Sequence, residues 1–227
     1  MNSIKQNKPD STYFGVFSES FREHVHILIA EDYSFSLSKI TSDNNEETDI
    51  TGYITEGIEQ KYNNRESPRW CSGYVVKEDN PQNKQGYRGK NRLKPDIIIE
   101  KTVMRGRPEY ILEAKRLNRS SNHAAGVYIG KDGMERFIDG RYGERYGEAG
   151  MIGYVQSDSL SVWKEKIQKA IYQKKDRLNL KSEQKNVNII KKLPYEWKSE
   201  HERTDNNNIL IFHILLAYSK KASTSNI

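Results

Sequence analysis

Two short apolar runs, each with charge at one end, constrain this chain more than any other feature of it. Ile97, Ile98 and Ile99 follow Pro95 and Asp96, and Tyr110, Ile111 and Leu112 precede Glu113, Ala114 and Lys115. Runs this short, unbroken and rich in β-branched residues are the pattern of buried strands, and Gly106 and Pro108 between them predict a hairpin through residues 101–108. Side chains alternate along a strand, so Glu113 and Lys115 share one face and Ala114 points the other way. Charge at the end of a central strand is costly unless it is paired or put to use.

Two carboxylates and an amine that meet beside paired strands are what metal-assisted phosphodiester hydrolysis requires. The acids supply hard oxygen ligands for Mg²⁺, with Mn²⁺ able to substitute. The ammonium orients or acidifies the attacking water and balances phosphate charge. Pro95, Asp96, Glu113 and Lys115 together resemble the motif of the PD-(D/E)XK nuclease superfamily, and their context extends the resemblance over residues 45–175. The resemblance implies an α/β, restriction-endonuclease-like fold with a mixed central sheet flanked by helices. It also implies that Asp96 and Glu113 bind the metal, with the Ala114 carbonyl as a third ligand, and that Lys115 positions the hydrolytic water. Many members carry a further acid on the helix before the first core strand, where it supports a second metal or its waters. Glu46, Glu47 and Asp49 are on offer here. At about 100° per residue, Glu47 shares the meridian of Ile54 and Ile58 whereas Asp49 points away, which selects Glu47.

A chain of 227 residues suits one substantial α/β core. Its organisation reads as an N-terminal helical extension over 1–43, a nuclease core over 44–180, and strands with a tail over 181–227. No apolar stretch approaches the ~18 residues that cross a bilayer, and the polar start, residues 1–10, lacks the apolar region of a secretory signal. The single Cys71 forms no internal disulfide and completes no zinc pattern, which suits a reducing cytoplasm; beside Trp70 it reads as a small buried hydrophobe. Five histidines show no paired metal spacing, and His201 and His213 read as residues that face a sheet surface or bond locally. The phosphate-cradling glycine patterns of nucleotide-binding loops do not occur.

The net charge of +6 matters less than its distribution. Arg88, Lys90, Arg92 and Lys94 alternate through a glycine-containing loop that runs straight into Asp96, where a DNA backbone is expected. Arg116 either contacts phosphate or faces solvent. A second group on a helix, from Lys164 through Lys166, Lys169, Lys174 and Lys175 to Arg177, reads as a solvated face. Residues 128–153, with Arg136, Arg141, Tyr142, Arg145 and Tyr146, suggest a DNA-facing loop.

Periodicity predicts helices over 18–31, with Ser20 and Glu23 placed as a capping box, over 44–63, around 131–138, and over 159–178. Strands are expected at 70–77, 151–155, 194–203 and 209–218, besides the two motif strands. The last two either extend the sheet or form a small subdomain; 118–123 is a polar stretch, 179–192 a connector and 219–227 a frayed tail. The chain is thus expected to be a Mg²⁺-dependent endodeoxyribonuclease acting as a homodimer or within a larger bacterial or phage-defence assembly. The alternative is a catalytically inactive nuclease-fold module that binds nucleic acid or a partner protein.

Overall fold

Ile97, Ile98 and Ile99 are fully buried, and successive side chains of a strand face opposite ways, so their strand must be covered on both faces. In the computed structural model, which describes residues 17–40, 45–119, 123–193 and 195–218, helices do this. The elements in order are α1 (Glu19–Lys39), α2 (Glu47–Asn63), β1 (Tyr74–Glu78), β2 (Ile97–Lys101), β3 (Glu109–Leu117), α3 (Ala124–Ile129), α4 (Glu135–Ile138), β4 (Glu148–Val155), α5 (Leu160–Gln173), β5 (Lys185–Val187), β6 (Glu196–Glu202) and β7 (Asn208–Ala217). The seven strands form one mixed sheet in the order β1-β2-β3-β4-β7-β6-β5. β3, β4 and β7 run parallel at its centre, and antiparallel pairs flank them. No helix among the described residues is long and apolar enough to cross a membrane.

All of β4 is buried, as a central parallel strand should be. Its Gly153 leaves space that two leucines fill: a Cβ there would lie 2.5 Å from both Leu117 and Leu215. α1 and α2 pack on one face, where Phe17 and Phe21 meet Tyr110. α3 and α5 cover the other, with α5 reaching β7.

Several boundaries differ from the sequence expectation, each for a local reason. α1 is capped by Ser18, whose Oγ accepts from Phe21 N at 3.3 Å, so Ser20 lies inside the first turn and the Ser20–Glu23 capping box does not form. The helix also runs eight residues past Glu31. Polar side chains of that extension are buried by distant partners: Ser36 Oγ meets Tyr218 Oη at 2.6 Å and Tyr33 donates to Ala217 O at 2.6 Å. Far from being an appendage, α1 joins the core, with Phe21, Val25, Leu28 and Ile29 in the same apolar cluster as the sheet. Arg22 and His26 bond the buried Glu148 and Glu196 at its other end. Arg69–Gly73 is a 3₁₀ turn, so the strand expected from residue 70 begins at Tyr74. The helix expected around 131–138 is confined to the short α4, after a turn where Gly133 passes so close to Tyr128 O that a Cβ would sit 2.2 Å away, and α3 ahead of that turn is not among the expected helices.

α5 stops at Gln173, β4 starts three residues earlier than expected, and the connector over 179–192 contains the short edge strand β5. β6 and β7 extend the sheet. The polar start, the expected tail, residue 44, part of the stretch 118–123 and Pro194 lie outside the described residues.

Beneath β6 and β7 runs a buried polar chain whose proton positions follow from its ends. Leu178 O can only accept, so His201 Nδ1 donates to it at 2.7 Å and His201 Nε2 accepts from Ser199 Oγ at 2.7 Å. Ser199 Oγ then accepts from His213 Nε2 at 2.8 Å, and His213 Nδ1 accepts from Tyr128 at 3.1 Å. Trp197 stacks on His213 with ring centroids 4.6 Å apart. Both histidines are neutral in this chain. Burial lowers the His201 pKa to about 4 and takes that of His213 well below the usual value.

His201 therefore stabilises the fold fully above the ordinary histidine value near pH 6.5 and progressively less as pH falls toward 4. Between pH 7.5 and 4.5 the wild type should lose about 2–3 kcal/mol more unfolding free energy than His201→Gln, measured by urea denaturation. Equal pH slopes for the two proteins would disprove this.

Candidate active site

The site forms where β2 stops short. β2 begins at Ile97, opposite Leu112, so β3 has no neighbour on that side from Glu113 onward. Main-chain groups of alternate residues point to the same edge of a strand, and the vacated edge presents Ala114 and Arg116. An unpaired, partly buried N–H is costly, and two carboxylates take the place of the missing strand. Asp96 Oδ2 accepts from Ala114 N at 2.6 Å, and Glu47 Oε2 accepts from Arg116 N at 2.9 Å. Asp96 arrives because it immediately precedes β2, and Glu47 because it opens α2.

Lys115 gathers these groups. Its Nζ lies 2.9 Å from Glu113 Oε1, 3.0 Å from Glu47 Oε1, 3.6 Å from Asp96 Oδ2 and 2.5 Å from Ala114 O. All four residues proposed from the sequence thus converge, together with the Ala114 carbonyl. Side-chain exposure rises from 1% at Glu113 and 10% at Lys115 to 20% at Asp96 and 30% at Glu47, so the cluster opens to solvent on the Asp96–Glu47 side. Asp49 is exposed and takes no part.

The electrostatics follow from this burial gradient. Burial pushes the Glu113 pKa up to about 8, the Asp96 charge adds to the rise, and Lys115 and Arg136 oppose it. Burial likewise raises Asp96 against the pull of Lys115 and the Ala114 N–H. For Lys115, burial works to lower the pKa, but the charges of Glu113, Asp96 and Glu47 outweigh it and raise it. Glu113 Oε2 is buried without a hydrogen-bond partner.

Arg136, on α4, is the neighbour that sequence reasoning misplaced. Its Nη1 donates to Glu113 Oε1 at 3.0 Å and to Tyr142 Oη at 2.6 Å, its Nη2 to Asp132 at 3.1 Å, and Tyr142 donates onward to Lys94 O at 2.8 Å. Arg136 and Tyr142 turn inward instead of facing DNA; no signal marked this, because the turn at 130–134 sets the direction of α4. Tyr146 is buried too, and Arg141 pairs with Asp139, so of that segment's expected DNA-facing residues only Arg145 is both exposed and charged.

Arg116 is half-buried: Nη1 bonds Asn45 O and Glu46 Oε2, each at 3.1 Å, and so fastens the start of α2, while about a third of its side chain stays open to solvent. Arg88, Lys90 and Lys94 are exposed on the loop before Asp96, and Arg92 is half-buried with Nε 3.4 Å from Gly89 O. On and beyond α5, Lys166 pairs with Asp158, Arg177 with Glu135, and Lys164 lies over the Trp197 ring.

Among the described residues no three His, Cys, Asp or Glu side chains form a ready metal cage. An ammonium holds the centre instead. The donor set of Asp96, Glu113 and the Ala114 carbonyl is all hard oxygen, and the orphaned Glu113 Oε2 offers a free acceptor, so these residues fit a hard divalent cation once Lys115 yields. Comparison with family models, with curated proteins and with solved structures gave no match. The chemistry of the site therefore rests on its own geometry.

Lys115→Met should destabilise the metal-free protein by about 3–5 kcal/mol, because it leaves Asp96, Glu47 and Glu113 close together with only Arg136, beside Glu113, as countercharge. Adding Glu113→Gln should restore part of the loss. A single variant as stable in urea as the wild type would show that the ammonium does not hold the cluster together.

Proposed function

We propose that this chain is a Mg²⁺-dependent endodeoxyribonuclease of restriction-endonuclease-like fold. One observation carries the reading: Asp96, Glu113, the Ala114 carbonyl and Lys115 converge at the vacated edge of β3, with Glu47 beside them. Asp96, Glu113 and the Ala114 carbonyl would hold Mg²⁺, for which Mn²⁺ is a chemical substitute. When bound, the ion supplies Lewis acidity toward the phosphate and lowers the pKa of a coordinated water.

The chain's own groups do the rest. Lys115, permanently charged at neutral pH, donates hydrogen bonds to the attacking water and to the phosphate oxygen that gains charge. Glu47 offers that ammonium a partner outside the Asp96–Glu113 pair, which keeps it beside the water instead of between the two acids. Arg88, Lys90 and Arg92 neutralise backbone phosphates on the approach to Asp96. A single site cuts a single strand, so duplex cleavage calls for a homodimer or a larger assembly. A role beside other defence subunits in a bacterial cytoplasm suits so small a nuclease.

One observation favours the second reading, an inactive nuclease-fold module that binds nucleic acid or a partner. Lys115 and Arg136 already pair with one oxygen of Glu113 without a metal. The two readings part on supercoiled, linear and single-stranded DNA incubated with Mg²⁺ or EDTA. The nuclease reading expects Mg²⁺-dependent cutting that falls about 10²-fold or more in Asp96→Asn and Glu113→Gln while binding in Ca²⁺ persists. Wild-type protein that binds DNA and leaves it intact would select the inactive module.

Replacing Arg88, Lys90 and Arg92 together by Ser should weaken binding to all sequences alike and flatten the slope of log affinity against log salt by up to about three. An unchanged slope in fluorescence anisotropy would remove this loop from the DNA path.

A further inference from the structure

Beside the site, on the same face of the sheet, lies a cavity of about 420 Å³. Its walls are the β1–β2 loop, the lower half of β3 and the loop that leads into β4. Two wall residues belong to the site's own framework. Pro95 is joined to Asp96, and Tyr142 carries the hydroxyl that links Arg136, and through it Glu113, to Lys94 O.

The lining is selective in its chemistry. Lys84 pairs with Glu144 at 2.7 Å, Arg141 with Asp139 at 2.8 Å, and Glu109 with Lys77 at 3.3 Å, so most of the wall's charge is cancelled within the protein. Arg145, exposed at the rim, is the charge left over. The lining also brings the polar residues Asn80, Gln82 and Asn83 together with Pro81, Ile111 and Tyr146; Asn83 is exposed, and Gln82 Nε2 donates to Asn80 O at 3.3 Å. A phosphate would find no cluster of free cations here. An uncharged, flat, amide-rich group would find hydrogen-bonding edges and apolar walls at once, and the volume falls in the range of small-molecule sites.

We infer that this cavity receives one unstacked nucleobase of the substrate strand, next to the phosphate that the site addresses. The inference rests on the proposed nuclease reading for the identity of the strand. Bases are recognised in this way when they leave the stack: amide groups meet the polar edge, apolar side chains meet the faces, and a rim cation meets the adjoining phosphate. Because the cavity wall continues into Pro95 and Tyr142, a base held there sets the register of the strand against Asp96 and Glu113.

The test uses single-stranded oligonucleotides bound to the full chain in EDTA, so that it does not depend on cleavage. One abasic residue is walked along the strand, and affinity is read by anisotropy for the wild type, for the double variant Gln82→Ala with Asn83→Ala, and for Asn83→Trp, which fills the cavity from an exposed position. The wild type should lose about tenfold in affinity when the abasic residue sits at one register position and little elsewhere. Both variants should bind the intact strand about as weakly as the wild type binds that one abasic strand, with no further loss when the two changes are combined. Affinity indifferent to the abasic position overturns the inference, as does unchanged binding in both variants. Free nucleoside monophosphates that bind as tightly as the strand would make the ligand a small nucleotide and overturn the strand assignment. Positional dependence in EDTA without any cutting in Mg²⁺ would leave the base pocket standing and remove the nuclease reading alone.

Discussion

The rest of the structure depends on an unpaired stretch of backbone. β2 begins only at Ile97, opposite Leu112, while β3 continues to Leu117, and the edge left open carries amide groups that must find acceptors. Asp96 and Glu47 supply them, one from the residue before β2 and one from the first turn of α2. Two carboxylates are thereby drawn to within reach of each other and of Glu113, and only a cation between them makes that arrangement tolerable. Lys115 is that cation.

Burial sets the electrostatics of this arrangement. Glu113 is buried, with one oxygen between Lys115 and Arg136 and the other without a partner, and its pKa stands near 8 because burial and the Asp96 charge outweigh the nearby cations. A buried acid held this way binds a proton or a cation more readily than an exposed one. The groups that hold the cluster together are those that a divalent ion and a phosphate would engage under the proposed function, which would place stability and chemistry on one set of charges.

The surrounding fold holds the cluster's elements in position. α1 is fastened to the sheet by the buried pairs Arg22–Glu148 and His26–Glu196, and α2 packs on α1. Arg116 ties the lead-in of α2 to β3 through Asn45 and Glu46. Glu47 is thus set by contacts from distant parts of the chain, and the strut from Glu113 through Arg136 and Tyr142 to Lys94 joins that acid to the cationic loop and to the cavity beside it.

By itself the sequence determined the motif strands, their hairpin, the amphipathic α5 and the pairing of Glu113 with Lys115 on one face, because these follow from local periodicity and from a two-residue repeat. It also selected Glu47 over Asp49, since helical geometry needs no tertiary information. The tertiary structure alone decided the rest. It made α1 part of the core, since Ser36 is buried, and Tyr33 half-buried, only once Tyr218 and Ala217 meet them. It shortened one expected helix to α4, behind a turn where the backbone at Gly133 passes too close for a side chain, and added α3 ahead of it. It turned Arg136 and Tyr142 inward, because a guanidinium or a phenol reads as surface chemistry until a buried carboxylate, 23 residues away from Arg136 in the chain, is brought beside it.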